Sequence, residues 1–300
     1  MTRSACLIFN PVAGQRDPDE HLNKIVNILK PEIELDVQFT TPEKDAEQLT
    51  KTAVEQGVQM IIASGGDGTL SAAGGAVVET GIPLGIIPRG TANAIAAALG
   101  IPDTIKAACK IILEGKTKKI DVARCNGKPM VLLAGIGFEA KTVEDADREL
   151  KNNFGMLAYV LSGLQKLGEL EPFEAKIETD ENTVTITAGA VTIANAAPPT
   201  SILAQGPAGI VYDDGLLDLT VVTPKNQVNA ISASYELLLS AIFGESAKHE
   251  AIKYIRTRYV KVTAKPPKKI ALDGEIIGET PIDVECIPGG LTIFMPTQED

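Results

Sequence analysis

Four short stretches set glycines and carboxylates at spacings that suit chemistry. In Ser64-Gly65-Gly66-Asp67-Gly68-Thr69-Leu70-Ser71, three glycines fall within four residues. Such a backbone can enter left-handed conformations and converge several N–H groups on one anion. Asp67 would repel a phosphate directly, so its expected work is to hold Mg2+ or its waters, which bridge to phosphate oxygens. Thr69 is expected to cap the helix that follows. A second glycine loop, Pro88-Arg89-Gly90-Thr91-Ala92-Asn93, repeats the pattern. Leu272-Asp273-Gly274-Glu275 sets two carboxylates about a glycine, where one could take the proton of an attacking hydroxyl. Acid-glycine-acid is also ordinary hairpin-turn chemistry. Tyr212-Asp213-Asp214-Gly215-Leu216, taken alone, reads as a tight turn with exposed carboxylates.

Strands have to deliver these loops. Residues 58–63 and 83–87 are short, apolar and rich in β-branched side chains, as buried strands are, and each runs into one glycine loop. A small-residue helix is predicted over 94–99. Ligands of open parallel sheets bind beyond the carboxyl ends of the strands, so two such loops at neighbouring ends make one crevice. Upstream, residues 5–9 form a strand that leaves through the turn Asn10-Pro11-Val12-Ala13-Gly14. Asp17 as N-cap and Pro18 at the first helical position open a helix carrying Leu22, Ile25 and Leu29. Ile33, Leu35, Val37 and Phe39 alternate as a strand ending at Thr40, and 45–56 is a helix closed by Gly57. Strand and helix alternate to about Glu114, the pattern of a parallel α/β sheet.

The pattern then changes. Gly135-Ile136-Gly137-Phe138-Glu139-Ala140 fits the G-x-G-x-x-A dinucleotide form, but it lies at the wrong end of the α/β repeat and no ribose-binding acid follows at the expected distance. It is read as a tight turn into a second domain. A helical region spans 142–170, and a helix over 227–243 carries Val228, Ile231, Tyr235, Leu238 and Ile242 as a core stripe. Short strands at 175–179, 184–187, 190–195, 216–222, 259–264, 269–272 and 291–295 suggest a sandwich. The expected fold is a three-layer α/β nucleotide-binding domain with a mainly parallel sheet (1–125, joined by 290–300), plus a β-sandwich second domain (126–289).

With 300 residues and 44% hydrophobic composition the chain can bury two cores. A formal charge of −11 argues against nucleic-acid binding. The basic clusters at 116–119, at Lys253, Arg256, Arg258 and Lys261, and at Lys265, Lys268 and Lys269 are read as solvated faces. Cys6, Cys109, Cys125 and Cys286 are scattered, which favours reduced thiols over a disulfide framework or zinc site. The apolar run at 5–9 is too short for a signal or a membrane span, so a cytoplasmic location is expected.

Gly65-Gly66-Asp67-Gly68-Thr69 followed by Pro88-Arg89-Gly90-Thr91-Ala92-Asn93 resembles the catalytic domain of diacylglycerol kinases, in particular the soluble bacterial lipid kinases related to them. The resemblance runs from Leu7 to about Met295. It implies ATP as phosphoryl donor, with Asn10, Pro11, Val12, Ala13 and Gly14 as a first nucleotide loop and Thr40 in a nucleotide-contacting position. Gly65, Gly66, Asp67, Gly68, Thr69, Leu70, Ser71 and Thr91 would complete that site. It further implies a Mg2+ bound by Asp214 with the main chain of Val211 and Leu216, and a catalytic base at Asp273 or Glu275. Asp121 resembles another family carboxylate.

Departures from the family pattern are Ala94 where many relatives carry an acid, Ser71-Ala72 in place of Asn-Glu, and Gln15 in place of a basic residue. The turn over 195–200 also lacks a glycine cluster. The expected activity is ATP- and Mg2+-dependent phosphorylation of a lipid hydroxyl, diacylglycerol being the leading acceptor. A lipid with a free hydroxyl and transient, peripheral contact with a membrane surface follow as partners, and a homodimer stays open. The alternatives are an NAD kinase-like enzyme and a catalytically silent lipid-binding protein.

Overall fold

The computed structural model describes residues 3–14, 17–137, 140–141, 171–198, 201, 204, 209–223 and 252–296. The helices expected over 142–170 and 227–243, with Gln15, Phe138, Glu139, Pro199 and Thr200, lie outside the described residues. The chain divides into two compact units, residues 1–120 with 289–300 and residues 121–288.

Unit one alternates strand and helix: β1 (Arg3–Phe9), α1 (Pro18–Leu29), β2 (Ile33–Phe39), α2 (Ala46–Glu55), β3 (Ile61–Gly65), α3 (Asp67–Ala76), β4 (Leu84–Pro88), α4 (Ala94–Ala98) and α5 (Ile105–Glu114). Its strands run parallel in the order β2-β1-β3-β4, and the end of a long last strand, β16 (Ile282–Phe294), joins β4 with Ile293 opposite Leu84. β3 and β4 are buried along their whole length, as parallel strands covered on both faces must be. Caps fix the helix starts. The side chains of Asp17, Asp45 and Thr104 accept from Asp19, Gln48 and Ala107 N–H, and Gly115, at φ 73°, closes α5. Ile25 and Leu29 of α1, with Ala108, Cys109 and Ile112 of α5, pack on Leu7, Phe9 and Ile62. Each large aliphatic side chain so buried contributes roughly 1.5–3 kcal/mol.

Unit two is a sandwich. One face holds the first part of β16 with β13 (Tyr259–Lys265), β8 (Phe173–Thr179) and β9 (Thr183–Ala188), while β5 (Thr117–Cys125) pairs with β16 and β6 (Lys128–Met130). The other is antiparallel, in the order β12 (Ile252–Thr257), β11 (Leu217–Val222), β10 (Ala190–Ala194), β7 (Leu133–Gly137), β14 (Lys269–Leu272), β15 (Glu275–Glu279). Phe173, Ile177, Val260 and Val262 of the first sheet meet Ile136, Ile193 and Leu219 of the second in one core.

The glycines at 135 and 137 are not in a turn. They lie inside β7, with Gly135 opposite both Thr192 and Ala271. A side chain on Gly137, at φ 80°, would come within 2.6 Å of the Gly189 carbonyl oxygen, so close strand packing accounts for that glycine.

Candidate nucleotide site and base

Parallel register brings the expected nucleotide loops of unit one to a single edge. Phe9 stands opposite Phe39 and Ser64, and Gly65 opposite Pro88. The ladder continues one residue further, with Asn10 N donating to Ser64 O (2.9 Å), Thr40 N to Phe9 O (3.0 Å) and Arg89 N to Gly65 O (2.8 Å). Residues 10–14, Thr40, 65–71 and 89–93 therefore leave from neighbouring strand ends. Pro11, Ala13 and Gly66 are partly exposed, Gly14, Gly68 and Thr91 are exposed, and Val12 is 88% exposed. Leu70 is buried in the core, and Ser71 is half-buried.

Helix α3 starts at Asp67, with Gly66 as an N-cap that offers no side-chain acceptor. Its first-turn N–H groups thus keep no side-chain partner of that kind, and a helix start in this state suits an anion. Thr69 is not the cap expected of it. Glycine at 66 lets the helix begin earlier, so Thr69 sits within the first turn, where its hydroxyl oxygen accepts from Asn10 Nδ2 at 2.9 Å. Asn10 Oδ1 in turn accepts from Val12 N at 3.1 Å. Asp67 Oδ1 accepts from Ile95 N at 3.0 Å, joining the start of α3 to the start of α4, where Asn93 makes no side-chain cap. Its other oxygen has no hydrogen-bond donor among the described residues. The two glycine loops touch through backbone: a Cβ on Gly90 would fall 2.7 Å from Gly66 Cα, and one on Gly14, at φ 88°, 2.7 Å from Arg89 O.

Sequence reasoning gave Arg89 no role. It is 5% exposed, its guanidinium lies 3.9 Å over the Phe9 ring, Nε donates to Ser64 Oγ at 3.0 Å, and another nitrogen donates to the Asn10 carbonyl. His21 Nδ1 lies 3.4 Å from the third nitrogen. Burial lowers the guanidinium pKa to about 10, so it remains a cation at neutral pH. One side chain thereby ties the ends of β1, β3 and β4. The available signal was an arginine placed directly after a fully apolar strand.

In unit two, Asp273 and Gly274 form a two-residue hairpin between β14 and β15, with φ of 47° and 91° and Leu272 opposite Glu275. Both residues at positive φ make this a type I′ turn. The Asp273 carboxylate accepts three amides, from Val131 (2.9 Å), Leu132 (2.9 Å) and Leu133 (3.0 Å). The same segment is held from its carbonyl side by Asn195, whose Nδ2 donates to Val131 O and to Asp121 O, both at 2.9 Å. Buried Asp121 accepts from Gly215 N at 2.6 Å and donates its own N–H to Tyr212 O at 2.7 Å, fixing the 212–215 turn from inside.

On that turn Asp214 Oδ1 accepts from Leu216 N at 3.0 Å and Oδ2 lies 3.2 Å from Arg256 Nη1. Val211 is exposed and Leu216 half-buried. Burial pushes the neighbouring Asp218 carboxyl up, opposed by hydrogen bonds from Tyr254 and Arg256, and burial followed by that bond to Asp218 pushes the Tyr254 hydroxyl up to about 12. Asp121, Asp214 and Asp273 are thus all occupied with backbone amides. Glu275 is exposed, and its carboxylate accepts no hydrogen bond from a described residue.

Residues 4–125 match the family model described as the diacylglycerol kinase catalytic domain, and residues 133–295 one described as the YegS C-terminal NAD kinase beta sandwich-like domain. A diacylglycerol kinase of Bacillus subtilis (strain 168) is 30% identical over 99% of this chain and 98% of its own length. The chain belongs to the diacylglycerol kinase family of lipid kinases. A crystal structure of a diacylglycerol kinase from Bacillus anthracis str. Sterne aligns with a TM-score of 0.76 at 25% identity, covering 98% of this chain and 97% of that one. A second structure from the same organism aligns over the same shares with a TM-score of 0.83 at 28% identity. Family membership supplies the phosphoryl chemistry.

Proposed function

We propose that this lipid kinase moves the γ-phosphoryl group of ATP to a lipid hydroxyl in a Mg2+-dependent reaction, with diacylglycerol the leading acceptor. The observation that carries the reading is the single edge from which 10–14, Thr40, 65–71 and 89–93 all leave, with bare helix-start amides beside them. Those backbone N–H groups would hold the phosphates. A Mg2+ bound with the nucleotide would supply neutralisation of phosphate charge. Asp67 is the residue that would hold it, one oxygen being fixed by Ile95 N–H and the other left over. Positioning and electrostatic stabilisation then supply most of the rate.

Glu275 is the proposed base. A carboxylate whose oxygens already accept three amides has little capacity left for a hydroxyl proton, so Asp273 acts by shaping the hairpin that presents Glu275. No described helix is long and apolar enough to cross a membrane, and the acceptor would be met by transient contact with a lipid surface.

The test is transfer from labelled ATP to a panel of lipid hydroxyls, with NAD as a separate acceptor. Glu275→Gln is expected to lose about a hundredfold or more of kcat with KM for ATP and melting temperature unchanged. Asp273→Asn should lose activity and melting temperature together, because the amide nitrogen of Asn cannot accept all three N–H groups. Full turnover of Glu275→Gln would remove the base assignment. Transfer to NAD alone would make the enzyme an NAD kinase, and lipid binding without transfer to any acceptor would make it a silent binder.

A further inference from the structure

The family resemblance places a divalent cation at Asp214, with main-chain oxygens of Val211 and Leu216. The turn as folded does not fit that ion. One oxygen of Asp214 accepts Leu216 N–H at 3.0 Å, and the other lies 3.2 Å from a guanidinium nitrogen of Arg256. Mg2+ binds oxygen at about 2.0–2.1 Å in near-octahedral geometry. On either oxygen it would meet a donor N–H or a fixed positive charge. Among the described residues no three His, Cys, Asp or Glu side chains gather where a metal could sit.

The guanidinium is itself held at every prong. Nε donates to Asp218 Oδ1 at 3.1 Å and to Tyr254 Oη at 2.8 Å, and Nη2 donates to Gly209 O at 3.2 Å. Tyr254 also donates its hydroxyl to Asp218. Asp218 is 1% exposed, and such a carboxylate needs a countercharge that stays in place. A planar fork of fixed donors meets that need better than a mobile ammonium. The turn is also closed without help from any ion, through Asp121 and the Gly215 and Tyr212 backbone.

We infer that Arg256 is a built-in countercharge that takes the place of a divalent cation at the 213–216 turn. One guanidinium serves Asp214 and Asp218 at once, and unit two acquires its turn from its own side chains. Mg2+ and Arg256 are alternatives at Asp214. The inference holds whether or not the lipid-kinase reading does, since it concerns the nucleotide-free chain.

The experiment compares thermal unfolding of the full chain, free of nucleotide, in EDTA and in millimolar MgCl2 at matched ionic strength, alongside Mn2+ binding followed by electron paramagnetic resonance. Wild type and Asp214→Asn are expected to respond to Mg2+ equally, and Mn2+ to find no Asp214-dependent site in the wild type. Arg256→Gln should melt lower in EDTA and gain a Mg2+-dependent rise that the Arg256→Gln, Asp214→Asn double variant lacks. One Mn2+ per wild-type chain, lost in Asp214→Asn, would overturn the inference. So would a folded Arg256→Gln that gains no cation response. If Arg256→Gln does not fold, Mn2+ titration of the wild type and Asp214→Asn decides alone.

Discussion

The Asp67 carboxylate accepts Ile95 N–H and is proposed to hold Mg2+, and substitution can separate the two duties. Asp67→Asn keeps an oxygen for Ile95 N–H but removes the charge, so it should melt like the wild type and lose transfer. Asp67→Ala removes the acceptor as well and should in addition lose about 1 kcal/mol of stability, the usual worth of a helix cap. Unfolding curves and the lipid-transfer assay check both, and full turnover of Asp67→Asn would take Asp67 out of the metal's reach. The glycine neighbours of Asp67 made it a candidate from sequence. Its partner was not legible there, because only the register of β3 beside β4 carries Ile95 to it. Arg89 was hidden for a related reason: its acceptors are Ser64 in β3 and Asn10 just past the end of β1, both distant in sequence. Replacing it by Met strands both acceptors, and a loss of roughly 2 kcal/mol is expected, with KM for ATP rising as the loops lose their common anchor. Lys should rescue little, since one ammonium does not reproduce the fork.

Helix α3 and helix α4 enter side by side because Gly66 and Gly90 leave no side chain between them. Gly90→Ala would set a Cβ 2.7 Å from the Gly66 Cα, a backbone atom that cannot swing aside, so the loops must part. Misplacement of about an ångström can lower kcat/KM on the order of a hundredfold, and that drop for ATP with an unchanged far-ultraviolet spectrum is the expected result. Gly81→Ala is the control. It is strained at φ 76° but has nothing within 4 Å, so it should lower stability modestly and leave KM alone. The alternation of unit one was readable because β3 and β4 are short apolar runs, β2 alternates strictly, and α1, α2 and α5 each carry a side-chain cap. The sandwich was harder. β12 (Ile252–Thr257) reads as part of a charge cluster because this edge strand carries Lys253 on its exposed face and Arg256 on the other, with no clean apolar alternation. β16 (Ile282–Phe294) contains Pro288-Gly289-Gly290, a turn signal by composition, yet the strand continues past it with Gly289 at φ 60°. The glycines of β7 (Leu133–Gly137) mimic a nucleotide turn because close strand packing and phosphate approach both demand a missing side chain.

Across the whole molecule the four thiols are buried, and burial is the first cause raising each from 9.0 to about 12. Ellman's reagent should therefore label none in the folded chain at neutral pH and all four in denaturant. Between pH 9 and 12 an unfolded chain releases thiol protons that the folded chain keeps. The unfolded state then binds fewer protons, so stability falls as pH rises through that window and is indifferent to these groups below it. Urea midpoints against pH should show this, with a smaller fall in Cys109→Ala. The division of the chain also bears on its synthesis. The strand segment that covers the β4 edge belongs to residues 289–294, whereas β4 itself ends at Pro88. On the ribosome, unit one emerges first yet waits for all of residues 121–288 before its sheet receives this neighbour. For that interval β4 offers an unpaired backbone row, the feature on which stray chains dock. A nascent chain stalled before Gly289 leaves the ribosome with its nucleotide unit already written but not yet hemmed.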